Sequence, residues 1–498
     1  MDKTVEMSAN ELVAFFGKPA SGLTKTDIIT FIREKGIRMV DFMYPAEDGR
    51  VKTLNFMINN LAYLETILTD GERVDGSSLF PSFVEAESSD LYVVPRYSTA
   101  FVNPFSEIPT LCLLCSFLDK DGQPFDSSPE QTLHRAAEAF TESTGMTFEA
   151  MGELEYYVIA EDDGMFPAVN QRGYHESGPF AKFNEFRKKC MAYIAQTGGQ
   201  IKYGHSEVGN FTADGKVYEQ NEIEFLPCLV ESAADQLLLA KWVIRNLAYS
   251  LGLDVTFAPK ITVGKAGSGL HIHMRMMKDG HNCMVNGGNL STEARRAIAG
   301  MMTLAPSITA FGNKTPVSYF RLVPHQEAPT SVCWGDCNRS VLVRVPLGWN
   351  FKHGVHGCHP SNGMDSLPSD NPKQTVEMRS PDASADIYQL MAGLCVACRH
   401  GLEMSENEAL AIAADKYVGP GESGNDDRFE QLPDSCAASA DWLERQRGIY
   451  EARGVFSPRM IDGVMDRLRS FNDTSLRSSA EKDNTLMHKL VRESFYCG

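Results

Sequence analysis

Two short alternations constrain this chain more than any other feature: Glu153-Leu154-Glu155 and His271-Ile272-His273. In a β-strand successive side chains point to opposite faces, so residues two apart project from the same side. Each triplet predicts a strand that offers two ligating groups to one face and turns an apolar residue into the core. Further on, Glu207 and Glu222 fall in polar stretches, and Glu377 stands between Val376 and Met378. Five carboxylates and a histidine, mostly oxygen donors, suit Mg²⁺ or Mn²⁺ rather than zinc. Such a site could hold a nucleoside triphosphate against a second substrate.

A chain of 498 residues exceeds one small core, so two or more domains are expected. Its formal charge of −18 argues against nucleic acid or an anionic membrane as the main partner. A local cluster of arginines can still bind phosphate. The apolar residues 12–16 are too few for a signal peptide, and no run approaches the roughly 18 apolar residues that span a bilayer. A cytoplasmic protein is expected, with its twelve cysteines reduced. Cys112 and Cys115 lie in an apolar run, and Cys395 and Cys398 in a helix-like stretch. Closed zinc sites seldom sit inside apolar runs, so buried free thiols are the expectation.

Residues 21–35 read as a helix with Thr24 as N-cap and Gly36 as its stop. Residues 37–44 and 51–57 read as a hairpin around Glu47-Asp48-Gly49, and 60–69 as a second helix. Asp75-Gly76-Ser77-Ser78 is a turn by composition, and 91–94, 100–102 and 110–118 are strand-like. The segment 119–128, rich in Asp, Gly, Ser and Pro, is the expected boundary, which divides the chain into 1–120 and 121–498. Beyond it come a helix over 129–144, the strand 149–160 with both glutamates, a helix over 233–251, and strands over 255–263 and 270–276. Apolar spacing predicts a helix over 383–404, and short helices follow at 442–453 and 459–468.

The glycine-rich stretch 264–269 runs straight into Leu270-His271-Ile272-His273. Such a loop lets backbone approach a ligand, and its amides can cradle an anion. It lacks the Gly-Lys-Ser/Thr ending of a P-loop, so phosphates would be held by metal and side chains. The cations stand later, at Arg321, Arg339, Arg344 and Arg379. Arginine suits bidentate contact with carboxylate or phosphate.

Together these motifs resemble glutamine synthetase of the bacterial type I class, from about residue 37 to 456. The resemblance is carried by Asp75-Gly76-Ser77-Ser78, Gly152-Glu153-Leu154-Glu155-Tyr156, Gln220-Asn221-Glu222 and Gly267-Ser268-Gly269-Leu270-His271-Ile272-His273. It continues through Arg321-Leu322-Val323-Pro324, Glu327-Ala328-Pro329, Asn338-Arg339-Ser340, Glu377-Met378-Arg379 and Gly454-Val455-Phe456, in the family's order. The resemblance implies an α+β fold: an N-terminal β-grasp-like domain, then a catalytic domain with a curved antiparallel sheet flanked by helices. It also implies a ring-forming homo-oligomer, a dodecamer of two stacked hexamers with sites between subunits.

Carried over residue by residue, the resemblance puts Glu155, Glu207 and Glu222 on one Mg²⁺ or Mn²⁺ ion, and Glu153, His271 and Glu377 on the other. His273, Arg339 and Arg344 would face ATP phosphates, with Arg339 also catalytic. Arg321 and Arg379 would hold glutamate carboxylates, with backbone from Gly267. Asp75 resembles the acid that takes a proton from ammonium across a subunit boundary, Ser78 and Tyr174 the other ammonium contacts, and Glu327 the flap carboxylate that shields the intermediate. The implied activity is ATP-dependent ligation of glutamate and ammonia, in glutamine biosynthesis. The alternatives are a γ-glutamyl ligase for an organic amine or polyamine, and a non-catalytic ring protein.

Three positions depart from the family's pattern. Ala266 stands where Asn usually precedes Gly-Ser-Gly, Thr375 replaces a phosphate-binding Arg, with Lys373 as a substitute, and Arg275 follows Met274 where Ser is frequent. Insertions separate Glu207 from Glu222 and Pro346 from Glu377, the second including 353–372. The adenylylated-tyrosine motif is not recognisable, and Tyr417 stands nearby in another context.

Overall fold

A computed structural model describes residues 3–86, 89–323, 328–348, 373–474, 476 and 484–497. Near the N-terminus, helix Lys25–Lys35 is fixed at both ends by its own sequence. The Thr24 hydroxyl accepts from the Asp27 N–H, Asp27 accepts from the Thr24 N–H at 2.7 Å, and Gly36 closes the helix at φ 66°. Strands β1 (Met39–Pro45) and β2 (Val51–Met57) form the expected hairpin, in register from Met39↔Met57 to Pro45↔Val51. With β3 (Glu72–Asp75), β4 (Asp90–Pro95), β5 (Phe101–Val102) and β6 (Thr110–Leu118) they build one sheet in the order β2-β1-β6-β4-β3, with β5 beside β6. Its core gathers Phe31, Phe42, Leu113 and Phe117. Asp75-Gly76-Ser77-Ser78, expected as a turn, becomes the short helix Gly76–Leu79, because the Asp75 side chain accepts from the Ser77 N–H at 3.0 Å and caps it.

The larger sheet comprises β7 (Thr147–Glu161), β8 (Ile201–Ala213), β9 (Lys216–Phe225), β10 (Cys228–Leu229), β11 (Asp254–Thr256), β12 (Leu270–Lys278) and β13 (His281–Asn282). The small hairpin β14 (Val285–Asn286) and β15 (Asn289–Leu290) stands apart from it. β16 (Trp334–Asp336), β17 (Val343–Val345) and β18 (Val376–Met378) complete it, in the order β16-β17-β18-β12-β7-β9-β8. All these pairs are antiparallel except β16 with β17. Helices Pro129–Thr144, Val230–Ser250, Thr292–Gly312 and Ile387–Glu403 share one buried cluster with the apolar face, including Leu154, Ile272, Leu237 and Leu390. Helix and sheet approach so closely at Gly152 that a Cβ there would lie 2.7 Å from the Leu237 methyls.

The α+β class holds, and several element boundaries shift. The strand expected over 255–263 is only β11. The Thr256 hydroxyl accepts from the Ala258 N–H at 3.0 Å, turning the chain, and Pro259 has no N–H to continue a ladder. The helix expected from 383 starts at Ile387, where Asp386 caps the Gln389 N–H at 3.0 Å. Helix Thr292–Gly312 carries Pro306 inside it, a residue that ordinarily argues against a helix. Every described cysteine is free, and Cys112, Cys115, Cys395 and Cys398 are buried. No helix among the described residues is long and apolar enough to cross a membrane.

Candidate metal centre and substrate groove

Strand register assembles the polar face in three rows, since residues paired across antiparallel strands share a face. Arg344 pairs with Glu377, and Glu377 with His273. His271 pairs with Glu153, Glu153 with Glu224, and Glu224 with Tyr203. Glu155 pairs with Glu222, and Glu222 with His205. The intervening Leu154, Ile223 and Ile272 are fully buried on the other side. The register of β8 on β9 slips between Ser206 and Asn210, a bulge that contains Glu207.

Glu153, His271 and Glu377 come together with ligand atoms within 4.8 Å of one another. Glu207 and Glu222 also come together, but their third neighbour at that spacing is His205 rather than Glu155. Glu155 Oε2 instead accepts from the Gly269 N–H at 2.7 Å and from Gln220 Nε2 at 2.9 Å. A further group joins Glu153 and His273 to Glu224. Sequence reasoning missed Glu224 and His205, although the signal for Glu224 was the same alternation, in Glu222-Ile223-Glu224. Glu224 Oε1 accepts from Lys202 at 2.7 Å, while its buried Oε2 takes no hydrogen bond among the described residues.

Protons and cations compete for this cluster. Burial opposes the charged form of Glu153, yet His273 and His271, at 2.8 and 3.0 Å, hold it well below the ordinary carboxylate range. Burial likewise opposes a charged His273, but Glu153 and Glu377 raise its basicity. Glu222 is pushed well above the ordinary range, first by burial and then by the charges of Glu153, Glu155 and Glu207. Crowded, buried carboxylates of this kind are a donor set that a divalent cation stabilises.

The expected cations ring the same centre. Glu377 is fully buried and accepts from Arg344 at 2.7 Å and Arg379 at 3.1 Å. Arg379 also donates to the Arg339 carbonyl. Arg321 donates to the carbonyls of Ser380 at 2.8 Å and Arg379 at 3.2 Å, and meets His271 Nε2 at 3.3 Å. The glycine loop is drawn tightly over it, because a Cβ at Gly269 would lie 2.5 Å from Arg321 Nη2. The amides of Ser268 and Gly269 are engaged by Pro259 O and Glu155, so these two do not form the anion cradle expected of the loop. Ala266 accepts from the Tyr157 hydroxyl at 2.9 Å and donates its N–H to Gln171 at 2.7 Å. Thr375 stands 2.9 Å from His273 Nδ1, and Arg275 pairs with Glu149 at 2.5 Å.

The clustered carboxylates and histidines line a groove of about 1390 Å³. Its lining joins the carboxylates to Arg321, Arg339, Arg344, Lys373 and Arg379, and includes Gly267 and the half-exposed Tyr174. Asp75 and Ser78 do not line the groove of their own chain. Asp75 accepts from the hydroxyls of Ser78 at 2.6 Å and Ser77 at 2.7 Å, which bring its carboxyl down to about 2. Glu327 and the insertion 353–372 lie outside the described residues.

Comparison with known proteins gives the geometry its context. The family described as "Glutamine synthetase, beta-Grasp domain" matches residues 36–120, and "Glutamine synthetase, catalytic domain" matches 126–479. A glutamine synthetase of Mycolicibacterium smegmatis is 29% identical over 477 residues, 88% of this chain and 93% of that protein. A 3-hydroxylaminophenol mutase of Cupriavidus pinatubonensis is 27% identical, over 88% of this chain and 94% of that protein. A solved structure described as "novel glutamine synthase homolog" shares the fold, with a TM-score of 0.70 at 21% identity, over 91% of this chain and 97% of that one. With a β-grasp unit followed by a catalytic unit whose sheet carries the ligand rows, this chain belongs to the glutamine synthetase family.

Proposed function

We propose that this chain is an ATP-dependent glutamate–ammonia ligase, working through γ-glutamyl phosphate to give glutamine, ADP and phosphate. The observation that carries the reading is the juxtaposition of buried carboxylates and histidines with arginines in one groove. Glu155, Glu207 and Glu222 would hold one divalent ion, and Glu153, His271 and Glu377 the other. When bound, such ions neutralise a transferring phosphoryl group and align it with an attacking carboxylate.

The chain's own residues do the rest. Arg339, Arg344, His273 and Lys373 bind the phosphates of ATP, and Arg321, Arg379 and Gly267 hold glutamate. The acyl phosphate must be kept from water, which a groove between subunits accomplishes. Asp75, with Ser78, reaches the site from a neighbouring subunit and joins Tyr174 around ammonium. A carboxyl held near 2 remains ionised at neutral pH and binds ammonium as a fixed anion. Its contribution is therefore electrostatic first, since a carboxylate held that low is a weak base towards ammonium. The assembly in this reading is a cytoplasmic ring of two hexamers.

A second reading, ligation to an organic amine, is favoured by Tyr174, which presents a half-exposed ring to the groove and stacks on His175 with centroids 4.2 Å apart. Phosphate release from ATP and glutamate, with ammonium compared against a panel of amines, tests both. Ammonium-dependent turnover is expected. Turnover with an organic amine alone would replace the first reading with the second, and ATP binding without any turnover would leave a non-catalytic ring protein.

A further inference from the structure

We propose that His205 supplies a nitrogen ligand, through Nε2, to the ion held by Glu207 and Glu222. The inference rests on the two-metal reading and assigns a residue that the sequence motifs did not point to. His205 Nδ1 lies 3.0 Å from the Ser206 carbonyl oxygen. A carbonyl can only accept, so the hydrogen sits on Nδ1, and in the neutral ring Nε2 presents a lone pair. Metal-binding histidines are typically oriented in this way, with the second ring nitrogen donating to a carbonyl or carboxylate.

Nε2 stands 3.5 Å from Glu222 Oε1, beyond the range of a good hydrogen bond. Glu222 is only 6% exposed, lies opposite Glu155 across the ladder, and has Glu207 within ligand distance. A lone pair and a buried, crowded carboxyl group face one another, an arrangement that a cation taking the place of the proton resolves. The ring is also held in place. His175 packs on it at 4.4 Å and Tyr174 meets it edge-on at 5.4 Å, while the bulge after Ser206 brings Glu207 Oε1 to 3.9 Å from Nδ1. A mixed nitrogen and oxygen donor set favours Mn²⁺ over Mg²⁺ more strongly than carboxylates alone.

X-ray absorption on the full chain loaded with Mn²⁺ reads the nitrogen directly, and calorimetric titration reads the affinity. His205→Gln is expected to lose part of the imidazole scattering and to weaken Mn²⁺ binding at one of two sites by about tenfold or more, with a much smaller loss for Mg²⁺. As a complement that leaves His205 in place, a chain carrying both His271→Gln and His273→Gln should retain imidazole scattering. Unchanged scattering and affinity in folded His205→Gln, or no imidazole signal in the double variant with Mn²⁺ bound, would overturn the assignment while leaving two-metal binding intact. A parent chain that binds no Mn²⁺ would overturn both.

Discussion

Glu153→Gln is the sharpest test of the metal centre, because Glu153 belongs to two of the ligand groups. Its Oε1 lies 2.8 Å from His273 and its Oε2 3.0 Å from His271, so one charge is shared by two imidazoles on the neighbouring strand. Glutamine keeps the shape and removes the charge. At an effective dielectric of about 20, unit charges 4 Å apart interact by roughly 4 kcal/mol, so a divalent ion at that spacing gains about 8 kcal/mol from the carboxylate. Part of that gain is offset by desolvation and by displacing the imidazoles, and the amide oxygen keeps a weak dipole. Removing one partner of a buried charged pair costs about 3–5 kcal/mol, which corresponds to a roughly 140- to 4000-fold weaker Kd. Mn²⁺ titration followed by calorimetry or electron paramagnetic resonance measures this, with circular dichroism to verify the fold. A folded Glu153→Gln chain that binds Mn²⁺ within about threefold of the parent would refute the reasoning, because its magnitude requires at least a hundredfold.

Three further outcomes are expected. Glu222 has its carboxyl raised above the usual 4.5, so the folded chain keeps a proton that the unfolded chain has lost, and stability falls as pH rises from 4.5 towards the raised value. In chelator, the thermal midpoint of the parent should therefore fall more steeply over that interval than that of Glu222→Gln, and parallel slopes would contradict it. If Lys373 substitutes for the arginine that Thr375 replaces, Lys373→Ala should raise the KM for ATP or lower kcat by about tenfold, and an unchanged enzyme would sink that idea. Asp75→Ala and Glu377→Ala should each be inactive alone and regain partial activity when reassembled together, whereas verified mixed rings without recovery would rule out a shared site.

The outcome for individual residues separates what was local from what was not. The two-residue period of a strand is set by each residue's immediate neighbours, so Glu153 with Glu155 and His271 with His273 could be placed on one face from the sequence alone. The same holds for the capped helix Lys25–Lys35 and the hairpin of β1 and β2, whose signals lie within a few residues of each other. The order of the family motifs determined the two-part α+β architecture. Register across strands is another matter. That His205 faces Glu222, and that Glu207 sits in a bulge beside them, depends on how two strands pair along their whole length. Thr375 reads in sequence as a lost arginine, but the fold brings its hydroxyl to His273, about a hundred residues away in the chain. The loop over 264–269 reads as a cradle for anions, yet packing against Arg321 and Glu155 commits the amides of Ser268 and Gly269 internally. Chain neighbours dictate which side of a strand a residue faces. Which residues meet across the sheet is decided by ladder hydrogen bonds and by the helices buried against it, and only the tertiary structure contains those.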